Sequence, residues 1–252
     1  MRSGALQAYC VAAAVVSCGT GVLAQTVEEA APAPPASELS GGAKPEHFLF
    51  YSGVDIWRFG RASYGGFYAA PEGLNTDGFI VRLFVSGGRE RYDAGSKRFD
   101  TDIFRGSLAP GWRLSEGSFE AKLFAGLELE NRTLMPALPA AASSNTHIGA
   151  RVVAETWWEP GPEIMLASSL SATTNANAWS VRGAAGWRAF EQGWGGPEIL
   201  ASGDAYSKQY RIGAHLTGLR LSVFEWSLAA GYVQDSFHRS GIYGRIGILT
   251  RQ

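Results

Sequence analysis

Only two cysteines occur in the 252 residues, Cys10 and Cys18, and both lie in the first apolar stretch. A chain cleaved beyond them holds no disulfide, no thiolate metal site and no cysteine nucleophile. An excess of one charge is also missing. Of the 22 basic residues only Arg2 precedes position 25, which leaves 21 basic against 23 acidic residues and nothing that points to nucleic acid. No later run of apolar residues is long enough for a membrane helix, so an exported chain of this kind is periplasmic, extracellular or a β-barrel. The four histidines, His47, His147, His215 and His238, stand at no metal-ligand spacing, and no metal or cofactor is expected.

Residues 1–24 read as a secretory signal: Arg2, an apolar run from Tyr9 to Val16, then Val22 and Ala24 at the positions before cleavage. A rival reading takes Val15-Val16-Ser17-Cys18 as a lipoprotein signal with Cys18 acylated. Residues 25–46, with Ala-Ala-Pro-Ala-Pro-Pro at 30–35, are Pro- and Ala-rich without periodicity and are expected to form a disordered linker. Residues 47–252 are then the folded domain.

In that domain, apolar and polar residues alternate with period two between turn signals. Tyr210, Ile212, Ala214 and Leu216 share one face of a segment whose other face holds Arg211, Gly213, His215 and Thr217. Phe224, Trp226, Leu228, Ala230 and Tyr232 alternate with Glu225, Ser227, Ala229 and Gly231 in the next, and Ile242, Gly244, Ile246 and Ile248 with Tyr243, Arg245 and Gly247 in the last. Phe119 to Glu130 and Trp179 to Arg188 repeat the pattern. About twelve such segments are present, an even number in the range of bacterial barrels.

A soluble sandwich and a membrane barrel use this alternation in opposite senses. Three features favour an all-β, antiparallel transmembrane barrel of about twelve strands. Trp112, Trp187 and Tyr232 stand on the apolar face near segment ends, where an interfacial girdle belongs. Many segments exceed the about five or six residues of soluble strands. The long connections, Glu90 to Asp100 and Asn131 to Asn145, fall on one side, and the short ones, Ser115 to Gly117, Glu159 to Gly161 and Leu221 to Ser222, on the other. On this reading the lumen is lined by Arg82, Arg105, Arg113, Glu120, Lys122, Glu128, Arg151, Glu155, Arg182, Arg188, Arg211, His215, Glu225 and Arg245. Interspersed Gly, Ala and Ser let long side chains pair across a narrow interior, and the outer face meets membrane lipid.

Gly53-Val54-Asp55-Ile56-Trp57-Arg58, Trp157-Trp158-Glu159-Pro160, Gly196-Pro197-Glu198, Leu216-Thr217-Gly218-Leu219-Arg220, Ser240-Gly241-Ile242-Tyr243-Gly244-Arg245 and Leu249-Thr250-Arg251 occur in that order. As a set they resemble the bacterial cellulose biosynthesis protein BcsS family, over about Phe48 to Arg251. The resemblance implies an exported outer-membrane protein associated with cellulose production, with cellulose or cellulose-export components as partners and no catalytic residues. One departure from barrel practice is the end, Leu249-Thr250-Arg251-Gln252, which lacks the terminal aromatic of common insertion signals.

Chemistry is thin. Ser227, His215 and Glu225 are the best constellation for an acyl hydrolase, which a chain rich in Ser and Glu assembles by chance. Glu120, Glu128, Glu130 and Glu155 offer a glycosidase pair, but they share faces with arginines, and ion pairing is the simpler account. Tyr92 and Phe99 offer loop aromatics for glucan stacking, with ordinary packing the plainer reading. A non-enzymatic barrel is expected, with an acyl hydrolase or a small-solute channel as alternatives.

Overall fold

A computed structural model describes residues 46–94, 97–135, 145–189 and 193–252. The signal and linker expectations, Cys18 among them, lie outside these residues. The described chain is twelve antiparallel strands joined in sequence order into one closed barrel: β1 (Phe48–Trp57), β2 (Gly60–Ala69), β3 (Gly78–Ala94), β4 (Lys97–Glu116), β5 (Phe119–Met135), β6 (Asn145–Gly161), β7 (Ile164–Thr173), β8 (Trp179–Arg188), β9 (Trp194–Gly203), β10 (Lys208–Leu221), β11 (Phe224–Asp235) and β12 (Ser240–Arg251). Closure comes from β1 on β12, in register from Leu49 opposite Arg251 to Trp57 opposite Tyr243, so no sheet edge remains. No described helix is long and apolar enough to cross a membrane.

The period-two pattern sorts residues inward and outward. On β1, Leu49, Tyr51, Asp55 and Trp57 are buried inside while Phe50, Val54 and Ile56 are exposed outside. On the outer wall no described strand carries a charge between Arg61, Arg89, Asp102 and Lys208 at one end and Glu116 at the other. Ten residues at about 3.3 Å each, tilted by about 40°, span about 25 Å, the height of the apolar band of an outer-membrane barrel. Trp112, Trp158, Trp187 and Phe224 ring the end that holds the chain termini, and Tyr210 and Tyr232 stand near the other; all six are exposed.

The expected loop asymmetry takes another form. Residues 90–100 are mostly strand, with Tyr92 opposite Phe99 in the ladder, so they do not form the long loop expected from the sequence. Cross-strand pairs explain it: Arg89 grips Asp102 at 2.6 and 2.8 Å and Arg91 meets Asp100 at 3.2 Å on the outward face. A run charged on both faces has no apolar alternation and reads as loop. The Arg89–Asp102 pair is level with Arg61 and the Arg91–Asp100 pair lies beyond Gly60, the first residue of β2, so β3 and β4 stand proud of β2 on the side away from the termini. The termini side has the tight turns after Glu116, Gly161 and Leu221 but also a longer connection at 70–77. In β10 the register with β11 shifts between Leu216 and Leu219, where Gly218 takes a φ of 83° that a β-carbon would oppose.

Candidate functional site in the barrel lumen

Inward side chains of neighbouring strands meet in a closed, narrow interior. Of the residues assigned to the lumen, Arg82, Arg105, Arg113, Glu120, Lys122, Glu128, Arg151, Glu155, Arg182, Arg211, His215, Glu225 and Arg245 are buried inside it. Arg188 is half-exposed at the termini-side mouth, where it donates to the Pro162 carbonyl at 2.8 Å and covers the Trp194 ring at 4.3 Å.

Adjacent-strand pairs form the walls: Arg105 to Glu130 at 2.6 Å, Arg113 to Glu120 at 2.8 Å, Arg182 to Glu198 at 2.6 Å and the close pair Arg151–Glu128, with Lys122 closing on Glu120 along β5 itself. Others cross the lumen. Arg211 on β10 reaches Asp55 on β1 at 2.6 Å while lying over the Trp57 and Tyr243 rings, each 5.1 Å away. Glu198 on β9 receives Arg245 at 2.6 Å and the Tyr243 hydroxyl at 2.8 Å, both from β12. Tyr68 on β2 donates to Glu155 on β6 at 2.7 Å, and Arg132 on β5 reaches Asp204, beyond β9, at 2.8 Å. Charges without solvent remain in a barrel only when held by such partners.

The mouths are filled as well. Leu74, from the 70–77 connection, packs with Leu49, Tyr68, Ile80, Phe124 and Val153 inside the termini-side half. Trp157, Met165 and Trp194 form a second apolar cluster on the β6 to β9 side. Gly111 makes room for this plug, because a β-carbon there would strike the Phe124 ring and the Leu123 carbonyl. At the opposite mouth the turn Asn175–Asn177 folds inward. Its buried Asn175 side chain donates to the Glu128 backbone at 3.1 Å, and the buried Asp204 carboxyl stands beside it, tied through Ala205 N–H to the Ala176 carbonyl at 2.7 Å. Burial raises the Asp204 carboxyl above its ordinary range even though Arg132 opposes the shift.

The apolar plug departs from the small, charged or polar inner face that the alternation predicts. The signal was present in uninterrupted apolar runs, 79–81, 83–85, 123–125 and 152–154, where both faces of a strand are apolar. The glycines next to the aromatics serve ring packing as well as crossing arginines.

The hydrolase constellation is not assembled by the contacts present. Neither ring nitrogen of His215 bonds Ser227: Nδ1 lies 3.2 Å from the Thr217 hydroxyl and Nε2 3.2 Å from the Ala185 carbonyl. Glu225 receives Arg251 at 3.1 Å, and Glu120, Glu128, Glu130 and Glu155 are engaged as described above. His47 bonds the Ala70 carbonyl at 3.1 Å; His147 and His238 are exposed. Among the described residues no cluster of metal-ligating side chains occurs.

Several solved outer-membrane barrels are similar in structure. The KdgM porin matches at 10% identity with a TM-score of 0.46, covering 80% of this chain and 98% of its own. LpxR from Salmonella typhimurium matches at 11% identity and 0.49, covering 80% and 99%. The translocator domain of the autotransporter NalP from Neisseria meningitidis matches at 9% identity and 0.46, covering 86% and 92%. No curated protein sequence matches. The family model for cellulose biosynthesis protein BcsS matches residues 49–252, the whole barrel from β1 to β12, and the chain therefore belongs to the cellulose biosynthesis protein BcsS family.

Proposed function

We propose that the protein is a non-enzymatic outer-membrane barrel that serves cellulose production as a closed anchor or organiser at the cell surface, not as a conduit for glucan. The observation that carries this reading is the set of buried bonds across the lumen, Asp55–Arg211, Glu198–Arg245, Tyr68–Glu155 and Arg132–Asp204, with apolar packing below them. A glucan chain is wide and hydroxylated, and its passage would break these bonds together. The uncharged outer wall and its aromatic rings support placement in the outer membrane. The termini then lie on the periplasmic side and the protruding β3–β4 hairpin at the surface, where export components or the polymer would be met.

The purified barrel in planar bilayers tests the closed lumen: silence is expected, and stable open steps would favour the channel alternative. A deletion strain tests the role. Cellulose retention at the surface should fall and return with the wild-type protein, and normal deposition in a strain that depends on this pathway would end the cellulose assignment. Ser227→Ala and His215→Ala proteins should complement fully; loss of a lipid-hydrolysing activity in either would establish the hydrolase instead.

A further inference from the structure

The outer wall is uneven over β1, β10, β11 and β12. The register sets Ala214, Ala230 and Gly244 side by side on the outward face, with Ile56 closing the row. Leu228 and Ile246 stand on one bank and Tyr232 and Ile242 on the other. Three small residues between large ones leave an apolar furrow of about 750 Å³, within the roughly 300–1,000 Å³ of ordinary ligand sites. Its end away from the termini reaches Arg58.

Arg58 is exposed. It donates once, to the Ser240 carbonyl at 2.8 Å, and its guanidinium lies 5.4 Å from the Phe59 ring centre. Arg61, opposite Ile56 in the ladder, is exposed beside it. Neither has an ion pair within 4 Å among the described residues, whereas Arg89 and Arg91 on the same rim meet Asp102 and Asp100; Arg61, opposite Arg89 in the ladder, feels the same Asp102 carboxylate from farther away. Arg58 therefore stands at the head of an apolar furrow with Arg61 on the next strand, and the single Asp102 carboxylate shared by Arg61 and Arg89 leaves this part of the rim with an excess of positive charge, at the level where the uncharged wall ends.

We propose that this furrow and its two arginines form a docking site for a phosphate-bearing lipid of the outer leaflet, with an acyl chain along Ala214, Ala230 and Gly244 and the phosphate on Arg58 and Arg61. The proposal rests on the outer-membrane reading and adds to it the headgroup chemistry and the place. A neutral lipid satisfies the furrow alone. Only an anionic headgroup supplies the acceptors that planar guanidinium groups bind best. A second copy of the chain fits less well, because two such faces would set Arg58 and Arg61 against their own like charges.

The test uses the purified barrel in phosphatidylcholine nanodiscs doped with diphosphorylated lipid A or with the same glycolipid stripped of phosphate, and native mass spectrometry to read the lipid retained. The wild-type protein should hold the phosphorylated form in preference. The pair Arg58→Ala and Arg61→Ala should lower that retention about tenfold, as loss of charge-assisted bonds predicts. Gly244→Leu should lower it comparably by filling the furrow. A β-carbon at Gly244 has no neighbour nearer than the Ala229 carbonyl at 4.0 Å, so the barrel still closes, which the band shift on boiling verifies. Lys208→Ala, an exposed basic residue on the same rim but outside the furrow, should leave retention unchanged.

Equal retention of the dephosphorylated lipid overturns the proposal, as does unchanged retention in Gly244→Leu or in the arginine pair. So does a Gly244→Leu protein that loses an oligomer while keeping its lipid, since the furrow then belongs to a second copy. Failure of the membrane reading itself is seen separately, as recovery of the protein in the soluble periplasmic fraction of cells.

Discussion

Removing Asp55 should be among the costliest single changes in the barrel. Asp55 is 0% exposed and Arg211 4%, so water does not screen their pair, and the contact at 2.6 Å joins β1 to β10 across the lumen. Taking one partner from a buried ion pair costs about 3–5 kcal/mol, because the remaining charge is left in a medium that cannot solvate it. Arg211 keeps the Gln209 side-chain carbonyl at 2.7 Å and its two flanking rings, which places Asp55→Ala near the lower end, about 3 kcal/mol or roughly a hundredfold in the unfolding equilibrium. Urea titration in lipid vesicles, read by the mobility of the unboiled band, measures this. The double variant Asp55→Ala with Arg211→Met should recover to within about 1 kcal/mol of the wild type, since an apolar replacement of a buried pair is often neutral. A cost below about 1 kcal/mol for Asp55→Ala, the range of solvent-exposed pairs, would mean that water fills the lumen and would refute the closed interior.

Three further outcomes follow from the same interior. Phe124→Ala should cost about 3–5 kcal/mol by opening a cavity in the plug, and Gly111→Val should also destabilise because its side chain would meet the Phe124 ring; the same titration reads both. Tyr68→Phe removes the hydroxyl bound to Glu155 and should cost about 1–3 kcal/mol by leaving a buried carboxylate oxygen short of a donor, with the barrel still resisting detergent at room temperature. For Asp204, whose carboxyl burial raises above its ordinary value, the contribution to stability is fully present below the unfolded value of about 3.9 and is lost as pH rises through the raised folded value. Asp204→Asn should abolish that fall in stability as pH rises above the unfolded value, and an unchanged profile would show that Asp204 is not the titrating group.

The fold was legible because a barrel wall is a local pattern: a residue's face depends only on its parity along the strand, and an outer wall without charge has few competing explanations. Arg82, Glu128 and Arg211 could be set inside by counting. Their partners could not. That Arg211 meets Asp55 rather than an acid on β9 or β11 depends on strand number, shear and where the ring closes, which no single segment carries. The 90–100 hairpin is illegible for a related reason, since its order comes from the pairs Arg89–Asp102 and Arg91–Asp100 and not from alternation. The inward turn at Asn175 gave no signal beyond its neighbour Gly149, where a β-carbon would collide with the Asn175 amide.

The apolar runs decide whether the lumen is a gate caught shut or a permanent core. In a barrel that opens to water during its working cycle, Leu49, Ile80, Phe84, Phe124 and Val153 would each be hydrated in the open state. All five are now nearly inaccessible. Exposing side chains of this size costs about 1.5–3 kcal/mol each, so opening them together approaches the about 5–15 kcal/mol that holds a whole domain folded. The lumen-crossing bonds would be lost in the same movement, so no partial opening removes only the inexpensive contacts. A conducting barrel keeps such positions polar so that either state is tolerated. Here strands β3, β5 and β6 are apolar on both faces at the level of the plug, one toward the outside and one toward each other, and that doubling makes sense only if the interior stays dry.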